Sequence, residues 1–118
     1  MSAESALRAL LVANPAVAAL VQTRVAVDRM EEGAVFPFVV FARTGTQPIT
    51  ALDGTHLRSQ ASLEVQCWSE TRLGADALAD AVAAAVRGVI SQTVPGRASG
   101  YDADTDRHVC SLQVAWWE

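Results

Sequence analysis

The sequence predicts one α+β domain, residues 1–118, in which helices pack on one face of a mostly antiparallel sheet, in the order α-β-β-β-α-β-β. Apolar residues recur at helical spacing near the N-terminus and again from about residue 72 to residue 90. Alternating or densely apolar runs, which are typical of strands, lie between and after these two regions. With 118 residues, 51% of them hydrophobic, the chain is long and apolar enough to bury one core.

Two short helices are predicted at the N-terminus. Ser2 is a suitable N-cap, and Asn14 followed by Pro15 is a second start signal, because Asn caps helices and Pro is tolerated at the first helical position. We expect the two helices to form one bent unit. Their expected apolar faces consist of Leu7, Leu10 and Leu11 in the first helix and of Val17, Leu20 and Val21 in the second.

Three strands are expected before the long helix. Alternation over residues 24–29 predicts a short strand, and the dense Phe and Val content of residues 36–42 predicts a strand that is covered on both faces. Residues 62–68 alternate between apolar and polar side chains, which indicates a strand with one wet face.

The stretch from Thr44 to Gln60 has the weakest pattern in the chain. It contains the turn residues Gly45, Pro48 and Gly54. We interpret it as a long loop that joins two strands, and an extended hairpin arm is an alternative. Loops of this length are uncommon in compact domains and are often functional.

The C-terminal third is predicted to contain one helix and two strands. Thr71 is a suitable cap for a helix from about Arg72 to Ile90, with an alanine-rich buried stripe. Pro95 and Gly96 are expected to interrupt regular structure. Strands are then predicted over residues 98–104 and 108–117, around an acidic turn, with Trp116 in the core.

Charge and targeting signals exclude several functions. The net charge is −4, and the nine basic residues are all scattered arginines, which disfavours direct nucleic-acid binding through phosphates. We find no secretory signal and expect no membrane-spanning segment. Cys67 and Cys110 are expected to be buried reduced thiols. A disulfide between them is geometrically possible if their strands are neighbours.

No catalytic, cofactor or metal site is predicted. His56 and His108 lie near acidic residues in sequence, but no motif supplies a nucleophile and an orienting partner. The alternating acids at 102, 104 and 106 lack the Gly and Glu that a calcium loop needs, so we interpret them as a solvated turn. A small enzyme is therefore disfavoured.

Trp68 and Trp117 are out of phase with the apolar sets of their strands, whereas Trp116 is in phase. A large ring that points away from the core suggests a subunit interface, although a loop or terminus covering the ring is an equal alternative. Arg43 and Arg58 flank the long loop, where cross-subunit ion pairs are possible.

An ordered set of short motifs resembles the phage tail-completion (tail-terminator, tail-to-head joining) family from about Glu4 to Trp117. The motifs are Pro37-Phe38-Val39-Val40-Phe41, Leu52-Asp53-Gly54, Gln66-Cys67-Trp68-Ser69, Leu78-Ala79-Asp80-Ala81-Val82, Tyr101-Asp102, Thr105 and Val109-Cys110-Ser111-Leu112. Each motif is weak alone, and the specificity lies in their order and in the chain length.

The resemblance implies a structural protein that forms a homo-oligomeric ring, expected to be a hexamer. The ring caps the tail tube in the neck of the virion, contacts the tail-tube protein and the head–tail connector or stopper protein, and is assembled in the bacterial cytoplasm. The source, whether phage, prophage or gene-transfer particle, stays open. Another neck component, such as a head-closure or minor tail protein, is the alternative. The expected interface consists of Arg43, Ile49, Leu52, Asp53, Gly54, Arg58, Trp68 and Trp117.

Overall fold

The structure is a computed structural model that describes residues 2–29, 33, 35–89 and 92–118, and for His56 it describes the main chain alone. Within these residues, three helices lie on one face of a five-stranded sheet, which confirms the predicted fold class and order. The elements are α1 (Ala3–Ala13), α2 (Pro15–Val21), β1 (Val25–Val27), β2 (Phe38–Thr50), β3 (His56–Ser69), α3 (Arg72–Arg87), β4 (Thr93–Asp102) and β5 (Arg107–Trp117).

The strand order across the sheet is β1-β2-β3-β5-β4. The short β1 runs parallel to β2, and the remaining neighbours are antiparallel, so the sheet is mixed. The register places Val39 opposite Cys67, and Cys67 opposite Cys110. This row of buried side chains crosses the three central strands on the face that carries the helices.

The helix start signals act as expected. The side chain of Ser2 accepts a hydrogen bond from the amide of Ser5 at 3.2 Å, and Asn14 Oδ1 accepts from the amides of Ala16 and Val17. The axes of α1 and α2 differ by 84°, which confirms the bent unit. Such caps are local, so they can be recognised without knowledge of the tertiary fold.

The core lies between the helices and the sheet. Leu7, Leu11, Val17 and Val21 are fully buried, but Leu20 is 38% exposed, so its assignment to the apolar face of α2 was wrong. A seven-residue helix makes two turns and buries only a narrow stripe. In β5, the predicted inward set is confirmed: it contains Cys110, Leu112, Val114 and Trp116.

Two predicted boundaries need correction. β4 starts at Thr93 and not at residue 98, because Pro95 and Gly96 are accommodated within the strand where its register with β5 shifts. β4 is an edge strand, and Pro is tolerated on an edge because its missing N–H removes no ladder bond there. α3 ends at Arg87, and Ile90 lies outside the described residues.

Candidate assembly surfaces

The predicted long loop is a β-hairpin, which confirms the alternative of an extended hairpin arm and corrects the interpretation as an irregular loop. β2 runs to Thr50 and β3 starts at His56, so only residues 51–55 connect them. β5 accompanies β3 as far as the pair Gln60–Trp117, followed by a hydrogen bond from the amide of Glu118 to the Ser59 carbonyl. Beyond that point, residues 49–58 form a two-stranded projection that we call the hairpin arm.

The sheet register shifts at Thr44, just before the hairpin extends beyond β5. Arg43 pairs with Leu63 while Gly45 pairs with Ser62, so Thr44 is the extra residue of a bulge. A bulge bends its strand and increases the local twist. The bulge at the base of the arm therefore sets the direction in which the arm projects. From the last β5 contact to the turn, its strands extend roughly 13 Å, at about 3.3 Å for each of four residues.

The turn of the hairpin arm is held by its own polar groups. The Ala51 amide donates to the Thr55 carbonyl at 2.8 Å, and the Gly54 amide donates to the Ala51 carbonyl at 2.9 Å. Asp53 Oδ1 accepts from the Thr55 amide at 2.9 Å, and these hydrogen bonds to Thr55 lower the pKa of Asp53. Gly54 has φ +90°, a backbone conformation that is unfavourable for any residue with a side chain. The tip is thus preformed.

Apolar side chains on the hairpin arm face solvent. Ile49 is 38% exposed, Leu57 is 59% exposed, and Leu52 at the tip is fully exposed. Leu57 was missed in the sequence because the loop assignment concealed the strand in which it lies. Single exposed apolar residues are common on protein surfaces, whereas three large ones on one projection are typical of an interaction site. Their predicted role in an interface stays a prediction, as does that of Asp53 and Gly54.

Arg43 lies at the base of the hairpin arm and pairs with carboxylates of its own chain. Its guanidinium contacts Glu4 Oε1 at 2.5 Å and Glu118 Oε1 at 2.9 Å. These two carboxylates raise the pKa of Arg43, and Arg43 in turn lowers the pKa of Glu118. Glu118 Oε2 also accepts from the amide of Ala3. The cluster joins α1, β2 and the end of β5. The predicted ion pair of Arg43 across a subunit boundary stays a prediction.

Trp68 and Trp117 both lie on the sheet face opposite the helices. Trp68 pairs with Phe38 and follows the buried Cys67, while Trp117 follows the buried Trp116. Both rings are half-buried. The Trp68 ring stacks on Phe38 at 6.5 Å, and its Nε1 donates to Gln66 Oε1. The expected orientation is therefore observed, and the proposed interface role of both rings is untested.

Arg58 covers the Trp117 ring at the base of the hairpin arm. Its guanidinium carbon lies 4.9 Å from the ring centroid, which is a cation–π contact. The main chain of Trp117 is held by Gln92, whose side chain accepts from the Trp117 amide at 2.7 Å. Arg58 and Trp117 are thus brought together near the arm, whereas Trp68 lies toward the other end of β3. A cross-subunit ion pair of Arg58 stays a prediction.

A recess of about 330 Å³ opens at the end of the sheet that is remote from the hairpin arm. Its walls come from the first turns of α3, the last residues of β4 and the start of β5. The lining residues are Arg72, Ala75, Asp76, Ser99, Gly100, Tyr101, His108 and Val109. No sequence motif indicates this recess, because its walls come from three consecutive elements whose lining residues meet only when α3 packs against β4 and β5.

Titratable groups at the recess are paired with one another. The Tyr101 hydroxyl donates to Asp106 Oδ1 at 2.5 Å, which raises the pKa of Tyr101, and its ring lies 5.0 Å from that of His108. Asp102 accepts from the Asp104 amide and from the Thr105 hydroxyl, so it stabilises the turn that follows it.

The side chain of His56, the other histidine considered in the sequence analysis, lies outside the described residues.

Among the described residues, no group of three or more His, Cys, Asp or Glu side chains is arranged to hold a metal ion. Among the same residues, no single helix is long and apolar enough to cross a membrane. The bent pair α1–α2 reaches the necessary length and apolar composition only when the two helices are counted together.

Comparison with known proteins gives the class and the family. The sequence matches the profile described as "Tail completion protein gp17" over residues 5–118. The chain therefore belongs to this family and is a structural protein of the phage tail. The expected resemblance is confirmed, and family membership points away from an enzymatic activity.

The fold is also similar to that of a chain from the solved virion of a native gene transfer agent (GTA) particle. The TM-score is 0.75 and the sequence identity 18%, over 97% of this chain and 92% of that chain. At this identity the similarity demonstrates a shared fold. Comparison with curated proteins found no significant match.

Proposed function

We propose that this chain is the tail terminator. Copies form a homo-oligomeric ring, most simply a hexamer, that caps the tail tube at its head-proximal end and joins it to the head connector. The family match and the virion neighbour support a place in the virion tail. The projecting hairpin arm, with its exposed Ile49, Leu52 and Leu57, carries the proposal of an intermolecular contact.

The hairpin arm contributes no residue to the hydrophobic core of the described residues, which favours an assembly role. Its residues pack on one strand neighbour, and its apolar side chains face solvent in the single chain. Isolated two-stranded hairpins are marginally stable in water, so an arm with this composition gains from being covered. Exposed contiguous apolar surface on a soluble protein typically marks an interaction site.

The hairpin register defines a shortened variant that tests this role. Pro48 pairs with Ser59, so replacing residues 49–58 by Asn-Gly closes a two-residue turn without changing the register. The domain should melt as the wild type does, because the core lies elsewhere. Electron microscopy of particles made with this variant should show tails of abnormal length or tails without heads.

A matched control separates the shape of the hairpin arm from its apolar surface. The triple substitution Ile49→Thr, Leu52→Ser and Leu57→Thr keeps the length and the turn and removes only the apolar side chains. We expect the same assembly defect in weaker form. Normal infectious particles from a stably folded shortened variant would overturn the proposal for the arm. If the shortened domain unfolds, the arm packs on its own core, and the interface would be sought at Trp68 and Trp117.

A further inference from the structure

Among the described residues, five of the seven large apolar side chains that face solvent lie on the hairpin arm or beside the recess, and the other two are Leu20 and Val35. Ile49, Leu52 and Leu57 lie on the hairpin arm. At the other end, Leu73 and Tyr101 are 82% and 55% exposed beside the recess. β3 connects the two ends, because it starts at the arm and finishes two residues before Thr71, the cap of α3. The long axis of the molecule measures 52 Å.

We propose that the tip of the hairpin arm of one copy docks into the recess of the next copy in the ring, with Leu52 entering the recess and Asp53 facing Arg72. The occupant of the recess is thus a second copy of this chain. The inference rests on the proposed ring and adds to it the surface of the neighbour that receives the arm.

The shapes are complementary. The recess of about 330 Å³ is open and is lined partly by Ala75, Gly100 and Val109. An engineered apolar cavity of about 150 Å³ is enough to bind benzene, so this volume accepts a leucine together with part of the turn. Leu52 is fully exposed at the tip of the hairpin arm, so no part of its own chain covers it.

The charges are also complementary. The Asp53 carboxylate is exposed at the tip and accepts from the Thr55 amide at 2.9 Å, and its hydrogen bonds to Thr55 lower its pKa. The Arg72 side chain is 72% exposed, and its ion-pair contact with Asp76 is only 4.0 Å. Asp76 is itself shared with Arg97 at 3.6 Å. Arg72 is therefore available for an incoming carboxylate, and the acid next to it is already neutralised.

The hairpin arm and the recess lie at opposite ends of the molecule, and this arrangement is compatible with a ring. A contact between two different surfaces of the same molecule is heterologous, and it generates a closed ring when the rotation between neighbours closes. Each copy then offers one arm and one recess, and every arm and every recess in the ring is used.

Cysteine cross-linking in assembled particles tests the contact. Leu52→Cys and Ser99→Cys, combined in one chain, place one thiol at the tip and one at the recess, and both residues are exposed. The native thiols are fully buried and do not compete. Under mild oxidation we expect a ladder of covalent multimers that extends to the full ring. Each single variant, and the control pair Leu52→Cys with Ser62→Cys on the opposite sheet face, should stay monomeric.

A double-mutant cycle tests the charged pair independently. Asp53→Asn retains the oxygen that holds the turn, and Arg72→Gln retains most of the length of the side chain. Each should lower the cross-linking yield several-fold, and the double variant should lower it no further than one alone, because the two residues act through one contact. Thermal melting of each variant checks that the fold is intact.

The outcomes separate the docking inference from the proposed function. Particles that contain the protein in the tail neck but give no ladder would overturn the docking inference and leave the terminator role standing. The same holds if Leu52→Cys alone forms dimers, or if it cross-links to a tail protein of different mass. Absence of the wild-type protein from the neck would instead contradict the proposed function itself.

Discussion

Arg43 and Glu118 form a two-pronged ion pair, in which Nη1 lies 2.9 Å from Oε1 and Nη2 lies 2.9 Å from Oε2. Parallel contacts of this kind match the planar guanidinium to the carboxylate and are stronger than single ones. Because Glu4 binds the same guanidinium, the pair fastens α1 and the end of β5 to the base of the hairpin arm. Arg43 thus acts within the subunit, whatever further role it has between subunits.

The Arg43–Glu118 pair should make stability depend on pH. The pKa of Glu118 in the folded state is lowered from its ordinary value of 4.5, so its contribution is complete above about that pH and is lost as the pH falls through the folded pKa. Glu118→Gln should cost about 1 kcal/mol at neutral pH and little in acid, since the pair is partly exposed. Urea unfolding at both pH values measures this difference.

Glu70→Gln is the matched control for that measurement. Glu70 is exposed and makes no ion pair with the described residues. Its substitution should leave stability nearly unchanged at either pH. Equal effects of the two substitutions would show that the Arg43–Glu118 pair adds nothing to the folded state.

The two thiols should be inert in the folded protein. Cys67 lies directly opposite Cys110, both are fully buried, and burial raises the pKa of Cys67, so the reactive thiolate is suppressed. A thiol reagent should label neither residue until denaturant is added. Ser62→Cys supplies an exposed thiol as the positive control. Labelling of the native thiols at the rate of that control would contradict the burial described here.

Two glycines of the hairpin distinguish backbone strain from side-chain bulk. Gly54 has φ +90°, whereas Gly45 lies outside the left-handed region, and an added Cβ would meet nothing within 4 Å at either position. Gly54→Ala should destabilise the arm by about 1 kcal/mol, and Gly45→Ala by much less. Hydrogen exchange of the arm amides measures both. A similar loss of protection in the two variants would contradict the turn geometry.

The helices and the core strands could be predicted because their signals are local. Ser2, Asn14 and Thr71 are caps that act within three residues, and the alternation that ends at Trp116 reflects burial on one face. The same reasoning failed where strands lack a core. The hairpin arm has no buried face to impose alternation, and Gly45 and Pro48 are turn residues that an exposed strand also tolerates.

The candidate assembly surfaces were only partly predictable. Leu52, Asp53 and Gly54 are a readable turn signal, and the phase of Trp68 and Trp117 gave their orientation correctly. The recess beside Arg72 has no sequence signature, because its lining residues on α3, β4 and β5 come together only when the helix packs on the sheet. The pairing of surfaces in a proposed ring depends on the neighbouring copy. The shapes and charges of a single chain only limit which pairs of surfaces could meet.

A cryo-electron microscopy map of the neck of the particle that carries this protein tests directly whether the protein closes the tail as a ring. We expect density for this fold on the tail axis, between the last ring of the tube and the head connector, in six copies related by rotation. Density for the protein away from the tail axis, or as a single copy, would contradict the account.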